Sequence, residues 1–191
     1  QKGQIENVFY RKMETPKANC YMIWHNMNLP YTLEKSIQVD MVGQVLSMEY
    51  LKKIREEASA AYSCGAYGYA SAADDGYKIY QLIGVCPMKP EKRDIALKIM
   101  TDEANKLATT CDAEMLNKVK ALMLKQIDDR AKTNGFWGGV IYQYDKVGVD
   151  TYSDYKKLVE AQTPLSVSAF MKEFLGNSSK ITVVMLPEGT K

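Results

Sequence analysis

Histidine is nearly missing from this sequence: His25 is the single one among 191 residues. Neither a His-x-x-Glu-His nor a His-Glu-x-x-His pair can be built from it, so a zincin-type metal site is excluded within the chain. A Ser-His-Asp or Cys-His centre would have to recruit His25. That residue lies in a strand-like stretch with no acid near it, and its ordinary reading is structural or solvent-facing. The chain also lacks any Cys-x-x-Cys pair. Its four cysteines, Cys20, Cys64, Cys86 and Cys111, are far apart, which leaves no basis for a zinc knuckle or a thioredoxin-type site. They read as small core residues or as including one disulfide. Cys20, Cys64 and Cys86 fall in predicted strands, so a cross-strand bridge such as Cys20 to Cys86 stays open.

Charge of one sign is lacking too. The 25 basic and 23 acidic residues leave a net charge of +2, with no basic stripe for nucleic acid or an anionic membrane. The clusters Lys52-Lys53-Ile54-Arg55 and Lys89 to Arg93 are short, broken by acids, and read as solvated helix ends. Gly-x-x-x-x-Gly-Lys-Ser/Thr is absent, and the glycines around Gly65 and Gly68 lie on a predicted strand rather than a strand-to-helix turn, so no phosphate loop is expected. No apolar run approaches the roughly 18 residues of a membrane span, and no signal peptide is present. A chain opening on Gln1 is expected to be a processed product or an excised piece of a longer protein.

What is present describes an ordinary globular chain, 46% hydrophobic and 25% charged. At this length roughly 70% of the unfolded surface can be buried, and residues 1–191 read as a single domain. The central stretch runs from Tyr31 to about Ala72. Its first part is a long amphipathic helix capped by Thr32, with Leu33, Ile37, Met41, Val45, Met48, Leu51 and Ile54 at helical spacing. Gly43 inside it signals close packing against a neighbour. The helix's C-terminal turn carries Leu51 to Glu57, and a short crossing leads into a strand over Ala60 to Ser71.

Around this stretch the pattern predicts strands over Gln4 to Met13 and Ala18 to Met27, the second central because both its faces are apolar. A hairpin partner over Tyr77 to Pro87 follows Asp75-Gly76. Helices are expected over Glu91 to Thr109, from an N-cap at Thr110 to Ile127, over Tyr152 to Ala161, and from Thr163-Pro164 to a capping Gly176. Asn134-Gly135 and Gly138-Gly139 predict a kink or turn near Phe136-Trp137. Ile181 to Leu186 is a last strand. The expectation is an α+β fold of two layers: an antiparallel or mixed sheet of about five to six strands, with helices on one face.

Chemistry is sparse in this pattern. Asp74-Asp75 sits in a turn and Asp128-Asp129 in a helix before Arg130, so both pairs read as solvated surface. The 13 tyrosines are scattered through strands, where packing accounts for most of them. There remains the helix-to-strand joint with Arg55 and Tyr62. From residue chemistry alone Arg55 complements the negative end of the helix dipole.

The run Leu51-Lys52-Lys53-Ile54-Arg55-Glu56-Glu57-Ala58-Ser59-Ala60-Ala61-Tyr62-Ser63 resembles the Leu-Arg-Glu-Glu/Lys-x-Gly-x-x-Tyr signature of the C-terminal half of pitrilysin-like zinc peptidases, the insulysin-type inverted zincins. Tyr follows Arg by seven positions in both. Thr15-Pro16-Lys17-Ala18, Leu29 to Glu34, Asn134 to Trp137, Gly148-Val149-Asp150, Thr163-Pro164 and Ile181 to Val184 extend the resemblance over nearly the whole chain. It implies a half-clamshell domain that lacks the metal site. Zinc sits in the parent's N-terminal half, which is also the partner, and a peptide is the substrate. By the same resemblance Tyr62 hydrogen-bonds at the scissile carbonyl and Arg55 grips the bound peptide. The segment alone is expected to bind no cofactor and to be inactive. Bacterial members imply a periplasmic or exported setting. Ser59 departs from the signature, which places a Gly there for freedom in φ. Two other readings stay open: a structural or docking domain of the same architecture, and a free-standing ligand-binding module.

Overall fold

A computed structural model describes residues 3–189 of the chain. The elements run β1 (Gln4–Arg11), β2 (Ala18–Asn26), α1 (Leu33–Tyr50), β3 (Gly65–Ala72), β4 (Lys78–Met88), α2 (Arg93–Leu107), α3 (Ala113–Arg130), α4 (Asn134–Val147), α5 (Tyr155–Ala161), α6 (Pro164–Gly176) and β5 (Ser179–Pro187). The five strands form one sheet in the order β1-β5-β2-β4-β3. It is mixed: β1 and β5 are parallel, while β2–β5, β2–β4 and β3–β4 are antiparallel.

The two-layer α+β architecture follows from alternation along the strands. In β2, Ala18, Cys20, Met22, Trp24 and Asn26 are buried against helices, while Tyr21, on the opposite face, is 42% exposed. β2 is central, as its apolar character on both faces predicts. The core joins both layers through Met22, Leu46, Tyr50, Leu82, Met100 and Phe174. None of the helices among the described residues is long and apolar enough to cross a membrane.

The contact that sets the geometry is α1 against β3. Gly43 of α1 faces Gly68 of β3, and the fit leaves no space for side chains. A methyl on Gly68 would overlap the Val39 carbonyl, and one on Gly43 would overlap the Gly68 amide. Gly43 therefore marks close approach, as its cost inside a helix suggests. This contact lowers α1 onto the edge strand and fixes where its C-terminal end meets the start of β3.

Several boundaries differ from expectation. The third long helix is capped by Asp112, whose Oδ1 accepts from the Met115 amide at 2.7 Å. Thr110 is not the cap because its amide still donates to Lys106 O, at the end of α2. Asn134 to Gly139 opens α4 rather than making a turn. Thr133 caps it, and Trp137 Nε1 donates to Ala131 O at 2.8 Å, pinning the first turn despite three glycines. Gly176 ends α6 without capping it; Asn177 takes that position. The Thr163-Pro164 start holds, with Ser166 completing a reciprocal capping pair. The tyrosines also depart from expectation. Tyr67 and Tyr69 lie on the open face of the sheet, and Tyr142 and Tyr144 on α4, all more than 40% exposed.

Candidate functional site at the helix-to-strand joint

After Tyr50 the helix does not stop; it widens. Leu51–Glu57 forms a π-helix, in which each amide reaches five residues back, and the Ala58 amide donates to Lys53 O at 3.0 Å. Such wide turns are rare and concentrate at functional sites. The α-helix predicted to run through Glu57 thus changes type for its last seven residues. Tyr50 and Ile54 are fully buried on either side of the transition, and the Tyr50 hydroxyl donates to Met100 O at 2.9 Å.

The chain then reverses through Ser59, which has φ +49°, the single non-glycine residue with positive φ among the described residues. This is the position where the signature has Gly, and the backbone adopts the left-handed conformation that Gly favours. The Ala60 amide donates to Ile54 O, and the Ala60 carbonyl accepts from the Lys89 amide at 3.1 Å. Those bonds occupy the groups a strand would need, so β3 starts at Gly65 rather than at Ala60. Ala60 and Ala61 turn into the core. Tyr62 turns out.

Tyr62 is 86% exposed. The Arg55 guanidinium lies over its ring, 5.4 Å from the centroid. Both residues are exposed, and Arg55 makes no ion pair within 4 Å among the described residues. The neighbouring Lys53 is instead paired with Glu57. The structure therefore brings the two sequence-identified residues together on open surface, with their backbone held by buried neighbours on both sides. A groove of about 240 Å³ runs along the other flank of the π-helix, lined by Glu49, Lys52, Lys53, Glu103 and Lys106; it includes neither Arg55 nor Tyr62.

The remaining candidates are dispersed. His25 lies on the open sheet face, half-buried, opposite Gln81 and Ser179. Asp75 caps the hairpin by accepting from the Tyr77 amide. Asp128 and Asp129 pair with Lys156 and Lys132. No group of three or more His, Cys, Asp or Glu placed to hold a metal ion occurs among the described residues.

Three features escaped the sequence pattern. One is the π-helix. Another is the exposure of α4, none of whose residues is buried: Ile141 is 67% and Tyr144 65% exposed. With Trp137 and Tyr152 they line an apolar recess of about 230 Å³. The last is the placement of the cysteines. All four are free thiols, and Cys64 donates to Tyr50 O at 3.1 Å directly beneath the joint.

Comparison with known proteins follows the same lines. The family described as the Peptidase M16 inactive domain matches residues 1–128. No curated protein matches the sequence. Among solved structures, the chain is similar to the periplasmic protease PqqL from Escherichia coli, with TM-score 0.74 and 18% identity over 98% of this chain and 21% of that one. It is similar to the ferredoxin protease FusC, solved in complex with Arabidopsis ferredoxin, with TM-score 0.76 and 16% identity over 98% of this chain and 20% of that one. A peptidase M16 inactive domain from Pseudomonas fluorescens gives TM-score 0.70 and 15% identity over 100% of this chain and 45% of that one. The chain thus spans about a fifth of the length of PqqL and FusC. At these identities the structural matches establish the fold.

Proposed function

This chain belongs to the Peptidase M16 inactive domain family, the non-catalytic domains of a protease family, and from that premise we propose that it is the zinc-free C-terminal domain of a longer zinc metallopeptidase. Residues 1–191 form one domain of that parent. It closes over a peptide held against an N-terminal half that carries the zinc. This domain contributes two groups to the peptide.

The observation that carries the reading is the Arg55–Tyr62 pair: a guanidinium stacked on an exposed phenol, with no ion pair to a carboxylate among the described residues. The Tyr62 hydroxyl is a neutral donor suited to a carbonyl oxygen that gains charge in the transition state. The Arg55 fork donates to backbone carbonyls or a carboxylate of the same peptide and fixes its register. Stacking on Tyr62 holds the long arginine side chain near its working position, so less rotamer freedom is lost when peptide binds. The strained Ser59 and the π-helix support this reading, because strain of this kind gathers where side chains must be aimed. Neither group needs this domain to bind a metal.

The test is Tyr62→Phe in the intact parent protein. Loss of one such donor is expected to lower turnover by about 10²–10³-fold, with zinc content and KM little changed. Arg55→Ala is expected to weaken peptide binding instead. Unaltered turnover in the first variant removes Tyr62 from the mechanism. Unaltered binding in the second favours a docking domain, a reading supported by the uncovered apolar face of α4.

A further inference from the structure

Cys86 stands between two other cysteines. The β2–β4 register sets Cys20 directly opposite Cys86. The β3–β4 ladder begins with Gly65 opposite Val85, and the side chain of Cys64, the residue before it, neighbours Cys86 from the other side. Three thiols therefore lie side by side across β2, β4 and the segment leading into β3, with Cys20 and Cys86 fully buried beneath the helices. Residues opposite one another on antiparallel strands have Cα atoms about 4.5–5.5 Å apart, within the 4.4–6.8 Å that a disulfide spans.

We propose that Cys64 and Cys86 form a thiol–disulfide exchange site beneath the Arg55–Tyr62 joint, reactive toward small disulfides of the oxidised-glutathione class. Cys64 is the attacking thiol and Cys86 the resolving one. The assignment follows from access: Cys64 is half-buried in the connecting segment and keeps some exposed surface, whereas Cys86 and Cys20 have none. It also follows from the environment of the sulfurs. The neighbouring Cys86 thiol and the Arg55 charge lower the Cys64 pKa against the opposing effect of burial. Cys86 moves in the opposite direction through its Cys64 neighbour and its own burial. Burial pushes Cys20 up to about 12, which leaves it a protonated bystander.

The chemistry balances with the small disulfide as the oxidant. The Cys64 thiolate attacks one sulfur of the disulfide, forms a mixed disulfide and expels one small thiolate. Cys86 transfers its proton to that leaving thiolate and attacks the Cys64 sulfur. A second small thiolate is expelled and takes up the proton originally lost by Cys64. Two protein thiols are oxidised, and one small disulfide is reduced to two thiols. The product ties the chain two residues after Tyr62 to the sheet and replaces the Cys64 hydrogen bond to Tyr50 O.

The experiment uses the folded chain, equilibrated with oxidised and reduced glutathione at fixed pH, quenched, alkylated and mapped by mass spectrometry. Alkylatable thiols are expected to fall from four to two, with a Cys64–Cys86 cross-link and full return on reduction. Cys20→Ser is expected to behave like wild type. Cys64→Ser is expected to keep its three remaining thiols, and Cys86→Ala to stop at the mixed disulfide on Cys64. Should Cys86→Ala fail to fold, Cys64→Ser at its half-buried position outside the strands decides alone. Four alkylated thiols at every glutathione ratio, a Cys20–Cys86 cross-link, or a mixed disulfide that persists in wild type would each overturn the proposal. Thiols are counted with no peptide present, so the result is separable from the role proposed for Tyr62.

Discussion

Ser59 shows how one residue can carry a conformation its side chain disfavours. Its φ of +49° places Cβ against the following carbonyl, at a cost of about 1–2 kcal/mol for an L-residue in this region. The conformation persists because the Ala60 bonds to Ile54 O and Lys89 N define the path on either side. Ser59→Gly removes the clash but gives back unfolded-state freedom, worth about 0.5–1 kcal/mol. The net expectation is a gain of about 0.5–1 kcal/mol, seen as a higher urea midpoint at unchanged m-value. A lower midpoint would mean that the serine hydroxyl compensates its own backbone. At the same scale, Arg55 and Tyr62 come within 5.4 Å although seven positions separate them. Between them lie the wide final turn and the left-handed reversal at Ser59.

At the scale of elements, the decisive contact is between α1 and β3. Because Gly68 meets the Val39 carbonyl with no room for a methyl, Gly68→Ala must lift the helix or bend the edge strand. A backbone neighbour cannot rotate away as a side chain can, so the expected loss is at the upper end for overpacking, about 3 kcal/mol or more. Thermal unfolding checks this, and a loss below 1 kcal/mol would show that the helix moves freely and does not fix the joint. Local signals made α1, the Asp-Gly hairpin and the Thr163-Pro164 helix start legible in sequence, because each depends on residues within a few positions of one another. The π-helix was not legible: Leu51 to Glu57 has ordinary helical spacing, and its widening depends on how Ile54 and Ala60 seat in the core. The restart at Asn134 was hidden by glycines whose cost is offset by the Thr133 cap and the Trp137 bond. Arg55 and Tyr62 were singled out by their motif, and the fold sets the guanidinium 5.4 Å from the ring centroid. The cysteine row was not, since it exists only once the β2–β4 and β3–β4 registers are known.

For the molecule as a whole, the question is what holds it together. Both layers meet in an apolar core, with Met22, Leu46, Tyr50, Leu82, Met100, Met123 and Phe174 at near-zero exposure. A chain of this length can fold on apolar burial alone. EDTA is therefore expected to leave the melting temperature of the isolated chain unchanged, and added zinc to raise it by nothing measurable. The sensitivity is ample. A metal bound only by the folded state at 100 times its Kd would contribute about 2.7 kcal/mol, or about 5–10 °C for a domain of this size. In the intact parent, the proposed division of labour requires the same chelator to abolish turnover while this domain stays folded. A chain that melts several degrees lower in EDTA holds a structural metal of its own, and the assignment of all metal to the other half then fails.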